Sequence, residues 1–124
     1  MAHTASTQQM TLQVHDTDGH TYRVFIRVDE KVAQGTLRIT GSAAGESRQY
    51  ELTQLQKSRN GKTLVFKSSG ATVTLTIEDT HTPPRLHLIA RVFVPVADTT
   101  YTLSQAEQKR LMAWINTLSL GVLA

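Results

Sequence analysis

The sequence predicts a mainly β fold, an all-β domain built as a small antiparallel β-barrel of six to seven strands with one C-terminal α-helix. Apolar and polar residues alternate with a period of two from Met10 to Val94, as they do in strands with one buried face. The convincing helical spacing comes after this region, near the C-terminus. Short strands closed by one amphipathic helix favour a barrel or strongly bent sheet that the helix covers.

The first two strands are predicted to form a hairpin. Apolar residues alternate on one face of each strand, at Met10, Leu12 and Val14 and then at Tyr22, Val24, Ile26 and Val28. The three residues between Asp16 and His20 suit a hairpin loop with Gly19 in the left-handed conformation. Pairing Asp16 with His20 places Val14 opposite Tyr22, so the apolar faces of the two strands agree.

The later strands follow the same alternation. They are predicted at residues 36–40, 48–54, 63–67, 72–77 and 85–94. Asn60-Gly61 is the strongest hairpin signal in the chain, and Pro83-Pro84 breaks the chain before the last strand. These signals predict a meander of antiparallel strands.

The C-terminal helix is predicted at about 104–119. Ser104 and Glu107 form a capping box, in which the serine accepts from the first-turn amides and the glutamate reaches back. The apolar stripe at helical spacing is Leu111, Trp114, Ile115 and Leu118. Trp114 is expected in the core, and Gly121 is expected to stop the helix.

Length and composition are those of one globular domain. The chain has 124 residues, of which 40% are apolar and 19% charged. Residues 1–9 read as a disordered leader without the features of an export signal, so the domain is predicted at 10–121 and the cytoplasm is the expected location. No apolar run reaches the length of a membrane span. The net charge of +3 favours a small anionic ligand or a modest acidic surface, and makes a nucleic-acid duplex an unlikely partner.

No catalytic motif is present in the sequence, and an enzyme is not expected. The segment from His15 to His20 invites a metal site, but its spacing is not that of a calcium loop and a turn is favoured. His81 and His87 have no carboxylate partner that the sequence identifies. No metal and no cofactor are therefore expected.

Two short motifs carry the functional prediction. Arg23 and Arg27 are separated by three residues, and Gln56, Ser58 and Gly61 follow about thirty residues later. In order and spacing they resemble the signature of the PilZ domain family, bacterial receptors for the second messenger cyclic di-GMP. Gln56 stands where the family has aspartate or asparagine. The resemblance implies that Arg23 and Arg27 hold phosphate and guanine, and that Ser58 and Gly61 form the facing turn.

PilZ domains are small antiparallel barrels that commonly end in a helix, so the predicted architecture agrees with the motif. The resemblance implies a non-enzymatic signalling domain that binds cyclic di-GMP or works as an adaptor through a protein partner. The alternative is another barrel-plus-helix interaction module without a nucleotide ligand, of which the pleckstrin-homology fold is the nearest analogue.

The arginines predicted to face outward from the strands also allow a different interpretation of the surface. With Phe25 and Phe93 between them they would form a basic and aromatic surface for single-stranded nucleic acid. We expect instead that both phenylalanines lie beneath the C-terminal helix.

Overall fold

The computed structural model describes residues 7–41, 47–60, 62–68, 71–80, 82–92 and 94–122. Within these ranges the strands form one sheet, and the helix is α1 (Gln105–Thr117). The strands are β1 (Thr7–His15), β2 (Thr21–Asp29), β3 (Gln34–Gly41), β4 (Ser47–Leu52), β5 (Gln56–Lys57), β6 (Thr63–Ser68), β7 (Ala71–Glu78), β8 (Arg85–Val92), β9 (Val94–Thr102) and β10 (Gly121–Val122). The prediction of a mainly β fold with one C-terminal helix is confirmed.

The strands run in the order β10-β5-β6-β7-β8-β9-β1-β2-β3-β4. Two antiparallel meanders, β1 to β4 and β5 to β9, meet where His15 of β1 pairs with Thr102 of β9. The short strand β10 adds to β5 in parallel. Among the described residues the sheet is open in this order, with β10 and β4 at its two ends, and it contains ten strands, whereas six or seven were predicted.

The predicted first hairpin is confirmed. Val14 lies opposite Tyr22, the Asp16 amide donates to the His20 carbonyl at 3.0 Å, and Gly19 has a φ of +84°. The strand begins at Thr7, so the last three residues of the predicted leader belong to β1. The first six residues of that leader lie outside the described residues.

The predicted strand 85–94 is wrong at its end, because the chain turns there into a second strand. β8 ends at Val92, and β9 runs back along it from Val94. The inward positions of β9 include Thr99 beside Tyr101, so the strand lacks the apolar alternation by which the others are recognised. Pro95 also lies within β9, although proline is uncommon inside strands. The strands β5 and β10 have two residues each, which is too short for any periodic signal.

The helix begins and ends close to the predicted positions. The Ser104 hydroxyl accepts from the Glu107 amide at 3.1 Å, as the capping box requires. The Glu107 carboxylate, however, accepts from the backbone amide of Gln13 on β1 at 3.0 Å. Leu118 ends the helix, and Gly121, predicted as the stop, begins β10 instead.

Contacts from β1 and β5 hold the two ends of α1. Arg110 donates to the Thr11 carbonyl at 3.5 Å, near the Glu107 contact with Gln13. At the other end the Lys57 ammonium donates to the carbonyl of Leu118 at 2.7 Å. A cation at this position satisfies carbonyls that lack partners within the helix and interacts favourably with the helix dipole. These contacts hold the helix along the part of the β1 edge that precedes His15, where no pairing with β9 is seen in the described part of the chain.

One hydrophobic core joins the two meanders and the helix. Its fully buried members come from most of the long strands and from α1, and include Leu12, Ile26, Leu37, Leu64, Leu75, Leu88, Leu111 and Ile115. Trp114, predicted as core, packs against this cluster and is half-buried. The outward residues of β1, β2 and β3 are mostly polar, and they form the surface described below.

The contact between Glu107 and β1 is expected to weaken in acid. Burial acts to raise the pKa of Glu107, but the Gln13 amide and the Arg110 guanidinium outweigh it and hold the pKa below its ordinary value of 4.5. A lowered pKa in the folded state means that the stabilisation is present above 4.5 and is lost as the pH falls through the folded-state pKa.

When the pH is lowered from about 6 to about 3, the free energy of unfolding is therefore expected to fall less in Glu107→Gln than in the parent chain. The amide oxygen of glutamine still accepts from Gln13, so the contact itself is kept at both pH values. Urea unfolding across this range measures the difference. If the free energy of unfolding depended on pH equally in the two chains, the contact of Glu107 with β1 would not contribute to the acid sensitivity of the fold.

Candidate functional site

A concavity of about 530 Å³ lies on the outer face of β1, β2 and β3. It is lined by Thr11, Gln13, Thr21, Tyr22, Arg23, Phe25, Arg38, Thr40 and Gly41. Its volume is within the range of small-molecule sites in proteins. Among the lining residues, Arg23 and Arg38 are positively charged and Phe25 is an aromatic residue on the same outer face; we call these three residues the basic–aromatic face.

Strand register brings these three residues together. Arg23 and Phe25 are two residues apart on β2 and so point to the same side, opposite to the buried Val24 and Ile26. Phe25 lies directly beside Arg38 in the pairing of β2 with β3. The basic–aromatic face is thus set by the same alternation that builds the core.

Arg38 stacks on Phe25. Its guanidinium carbon is 5.9 Å from the centroid of the phenylalanine ring, a distance at which a cation is attracted to an aromatic face. The Nε of Arg38 donates to the side-chain oxygen of Gln49 at 3.0 Å, which orients the guanidinium. Gln49 is held in turn by Glu51, to whose carboxylate it donates at 2.8 Å. The hydrogen bond to Gln49 fixes the orientation of the Arg38 side chain but uses only its Nε–H. Most of the five N–H donors of the guanidinium are not part of this bond.

The expectation that Phe25 lies beneath the C-terminal helix is wrong. Phe25 is half-buried on the outer face, between Thr11 of β1 and Arg38 of β3. Its odd-numbered position on β2, shared with Arg23, already indicated this face, but an aromatic side chain suggested burial. Phe93, the other phenylalanine of that expectation, lies outside the described residues.

Arg27 belongs to a different part of the surface. It is exposed on the same face of β2 as Arg23, about 13 Å farther along the strand. There it lines a separate concavity of about 270 Å³ whose walls include Asp29 and Glu51. Because two acidic residues stand beside it, this second concavity attracts an anion less strongly than the basic–aromatic face.

Gln56 and Ser58 lie on the other meander. Gln56 is in β5, where it pairs with Val65 of β6 and Gly121 of β10. Among the described residues, neither concavity that contains Arg23 or Arg27 is lined by Gln56 or Ser58.

The Ser58 hydroxyl is occupied within its own turn. It donates to the side-chain oxygen of Asn60 at 2.6 Å and accepts from the amides of Lys62 and Thr63 at 3.1 and 3.0 Å. These bonds close the turn between β5 and β6. Gly61, the last residue of the motif, lies outside the described residues.

The acidic loop of the first hairpin is held by its own hydrogen bonds. Asp16 accepts from the amides of Asp18 and His20, each at 2.9 Å, and its other oxygen is 3.3 Å from the His20 ring. Although desolvation acts to raise it, these contacts lower the pKa of Asp16 below its ordinary value. The side chains of Asp16, Asp18 and His20 have ligand atoms within 4.8 Å of one another, but exposed clusters of this kind are common without an ion. The prediction of a turn is confirmed.

His87 has carboxylate partners that sequence reasoning missed. Its Nε2 contacts Asp98 of β9, and its Nδ1 is 3.5 Å from Glu78 of β7. Both partners reach His87 across neighbouring strands, and β9 was not predicted as a strand, so no local spacing indicated the contact. His81, considered with it, lies outside the described residues.

Within the described ranges, α1 is too short and too polar to cross a lipid bilayer. Comparison with protein-family models, with curated proteins and with solved structures gives no match. The likeness to PilZ domains therefore rests on the residues of the motif, and it stays a prediction.

Proposed function

We propose that this protein is a non-enzymatic binding domain whose basic–aromatic face takes a phosphate-bearing ligand with a planar ring. Cyclic di-GMP is the first candidate, as the resemblance to PilZ domains implies. The observation that carries the proposal is the concavity in which Arg38 is stacked on Phe25 and Arg23 lies on the same face. A receptor of this kind would act in the bacterial cytoplasm.

The residue types suit such a ligand. Arginine donates two parallel hydrogen bonds to a phosphate or to the O6 and N7 atoms of guanine, which lysine does not match. A purine ring can stack on an aromatic side chain or on a guanidinium plane. Arg23 would contact phosphate, while Phe25 and Arg38 would contact the base. The threonines and Gln13 at the walls offer further hydrogen-bonding groups.

This assignment keeps one residue of the PilZ-like motif and replaces the others. Arg23 remains in the site, and Phe25 and Arg38 join it. Arg27 stands beside Asp29 and Glu51 in another concavity, and Ser58 is engaged in its own turn. We further propose that the sheet curves into a barrel-like shape. In support, β4 approaches β6, and the Leu55 amide donates to the Ala33 carbonyl at 3.0 Å.

Calorimetric titration with cyclic di-GMP tests the proposal. We expect micromolar binding that weakens about tenfold or more in Arg23→Ala and in Arg38→Ala, because each loses a hydrogen-bonding cation at the ligand. The matched control is Arg91→Ala, which removes the same charge from an exposed site on β8 and leaves the affinity unchanged.

Arg27→Ala separates the two possible sites. An unchanged affinity in this variant would favour the basic–aromatic face, whereas a loss equal to that of Arg23→Ala would favour the site implied by the motif. No heat with ligand at about 1 mM would reject the receptor function. The alternative of a module that works by protein contact would then be the one to pursue.

A further inference from the structure

A second concavity, of about 360 Å³, lies at one end of the sheet on its core-facing side. Residues from both meanders line it: Tyr22, Ile39 and Arg48 from the first, Thr99 and Tyr101 from the second, with Asp16 at the hairpin loop. We call it the end pocket. It is separate in position and in lining from the basic–aromatic face, with which it shares only Tyr22 among the described residues.

The end pocket continues the hydrophobic core. Tyr22 points to the same side of β2 as the buried Val24 and Ile26, and Tyr101 is itself 4% exposed. The two tyrosine rings have centroids 5.5 Å apart and are tilted by 58°, so they form an angled aromatic wall. Ile39, 3% exposed, adds apolar surface at its side.

Arg48 occupies an inward position on β4. It alternates with Tyr50 and the buried Leu52, so strand geometry directs it to the side of the core rather than to the outer face. It is paired with Ile39 of β3 at the same end of the sheet. Its side chain is nevertheless exposed, so the guanidinium lies at the solvent-facing rim of the end pocket and not within the core.

The charge of Arg48 is not matched within the described part of the chain, where no carboxylate lies within ion-pair distance of it. Asp16, the acidic residue of the pocket, already accepts from the amides of Asp18 and His20. The end pocket therefore combines a cation with an aromatic and aliphatic wall.

We propose that the end pocket binds a small aromatic carboxylate, with its ring against Tyr22, Tyr101 and Ile39 and its acid group on Arg48. The pocket volume lies at the small end of the range for ligand sites, which suits one ring with one acid group better than a dinucleotide. A guanidinium matches a carboxylate with two parallel hydrogen bonds, and the aromatic wall accounts for the ring. This binding site is independent of the function proposed for the outer face.

A different role for Arg48 must be separated from this one. β4 ends the hydrogen-bonded order, and inward-pointing charges on such strands prevent pairing between molecules. In that role Arg48 would need no ligand. The two roles differ in what Arg48→Gln changes, the affinity for an aromatic acid or the association state of the protein.

Titration of isotope-labelled protein with benzoate, followed by amide chemical shifts, tests the proposal. We expect saturable shifts centred on Tyr22, Ile39, Arg48, Thr99 and Tyr101 at millimolar benzoate. Benzamide has the same shape without the charge and is expected to bind about tenfold more weakly or worse. Arg48→Gln is expected to lose affinity for benzoate by a similar factor. The control Arg91→Gln removes an exposed arginine from β8, away from both concavities, and should leave the affinity unchanged.

Three results would overturn the proposal. The first is the absence of saturable shifts up to about 50 mM benzoate, beyond which so small a ligand has little specific affinity. The second is equal affinity for benzoate and benzamide, or no effect of Arg48→Gln. The third is self-association of Arg48→Gln, seen by sedimentation, in a protein that does not bind benzoate, which would assign Arg48 to protection of the edge strand.

Discussion

Gly35→Ala is expected to destabilise the protein by about 3 kcal/mol or more, because the new methyl group has no room. A Cβ built at Gly35 would lie 2.0 Å from the carbonyl oxygen of Arg27 and 3.2 Å from the Cα of Val28. Both atoms belong to the backbone of β2, so no side-chain rotation can relieve the clash. The strands β2 and β3 would have to separate where Gly35 pairs with Val28.

The sign of this effect is informative. At a position with room for a methyl group, replacing glycine by alanine stabilises a protein by about 0.4–1 kcal/mol, through the unfolded chain. Gly121→Ala is the matched control, since its Cβ would meet only the Gln56 side chain, at 3.9 Å. Urea unfolding of the two variants measures the contrast. If Gly35→Ala were as stable as the parent chain, the backbones of β2 and β3 could not lie as close together at Gly35 as the structure has them.

Local patterns were sufficient for the first hairpin and for the helix. The loop between Asp16 and His20 needs a left-handed residue, and Gly19 supplies it, so loop and register were predicted together and both are confirmed. The helix begins at a capping serine, Ser104, whose role is local. In each case the decisive contacts join residues within one turn or between adjacent strands.

Contacts between distant segments were not predictable in the same way. Glu107 was expected to complete its own capping box, but it binds the Gln13 amide on β1. That amide is available because, in the described part of the chain, β9 pairs with β1 only at His15, a consequence of topology that no local pattern contains. Lys57 likewise reaches the end of α1 from β5. Glu107 and Lys57 each bind a backbone group that lacks a partner within the sheet or the helix. Which backbone groups lack a partner depends on the order of the strands, so these contacts cannot be predicted before that order is known.

The candidate site shows the same division. That Arg23 and Arg27 share one face of a strand follows from their spacing, and the structure places them so. That Arg38 completes the site depends on the register of β2 with β3. The motif also grouped Arg23 with Ser58 across the two meanders, and only the topology shows that Ser58 closes a turn elsewhere. The residue types are therefore the basis of the ligand chemistry that we propose, while the fold decides which arginines line the same concavity.

Leu111→Ala is expected to reduce the free energy of unfolding by about 2–5 kcal/mol, the usual effect of emptying a fully buried leucine site. Leu111 is 0% exposed and joins α1 to the core together with Ile115. The helix has 13 residues, a length at which an isolated helix is marginal in water, so its order depends on this packing.

Lys109→Ala is the matched control on the same helix. It truncates an exposed side chain and is expected to change stability by less than about 0.5 kcal/mol. Urea unfolding followed by the fluorescence of Trp114, which packs against the core, reports on the helix directly. A loss below about 1 kcal/mol in Leu111→Ala would mean that α1 is not part of the cooperative core. The contacts of Glu107 and Lys57 would then hold α1 on the sheet only as a peripheral element, because polar contacts alone do not supply the burial that makes unfolding cooperative.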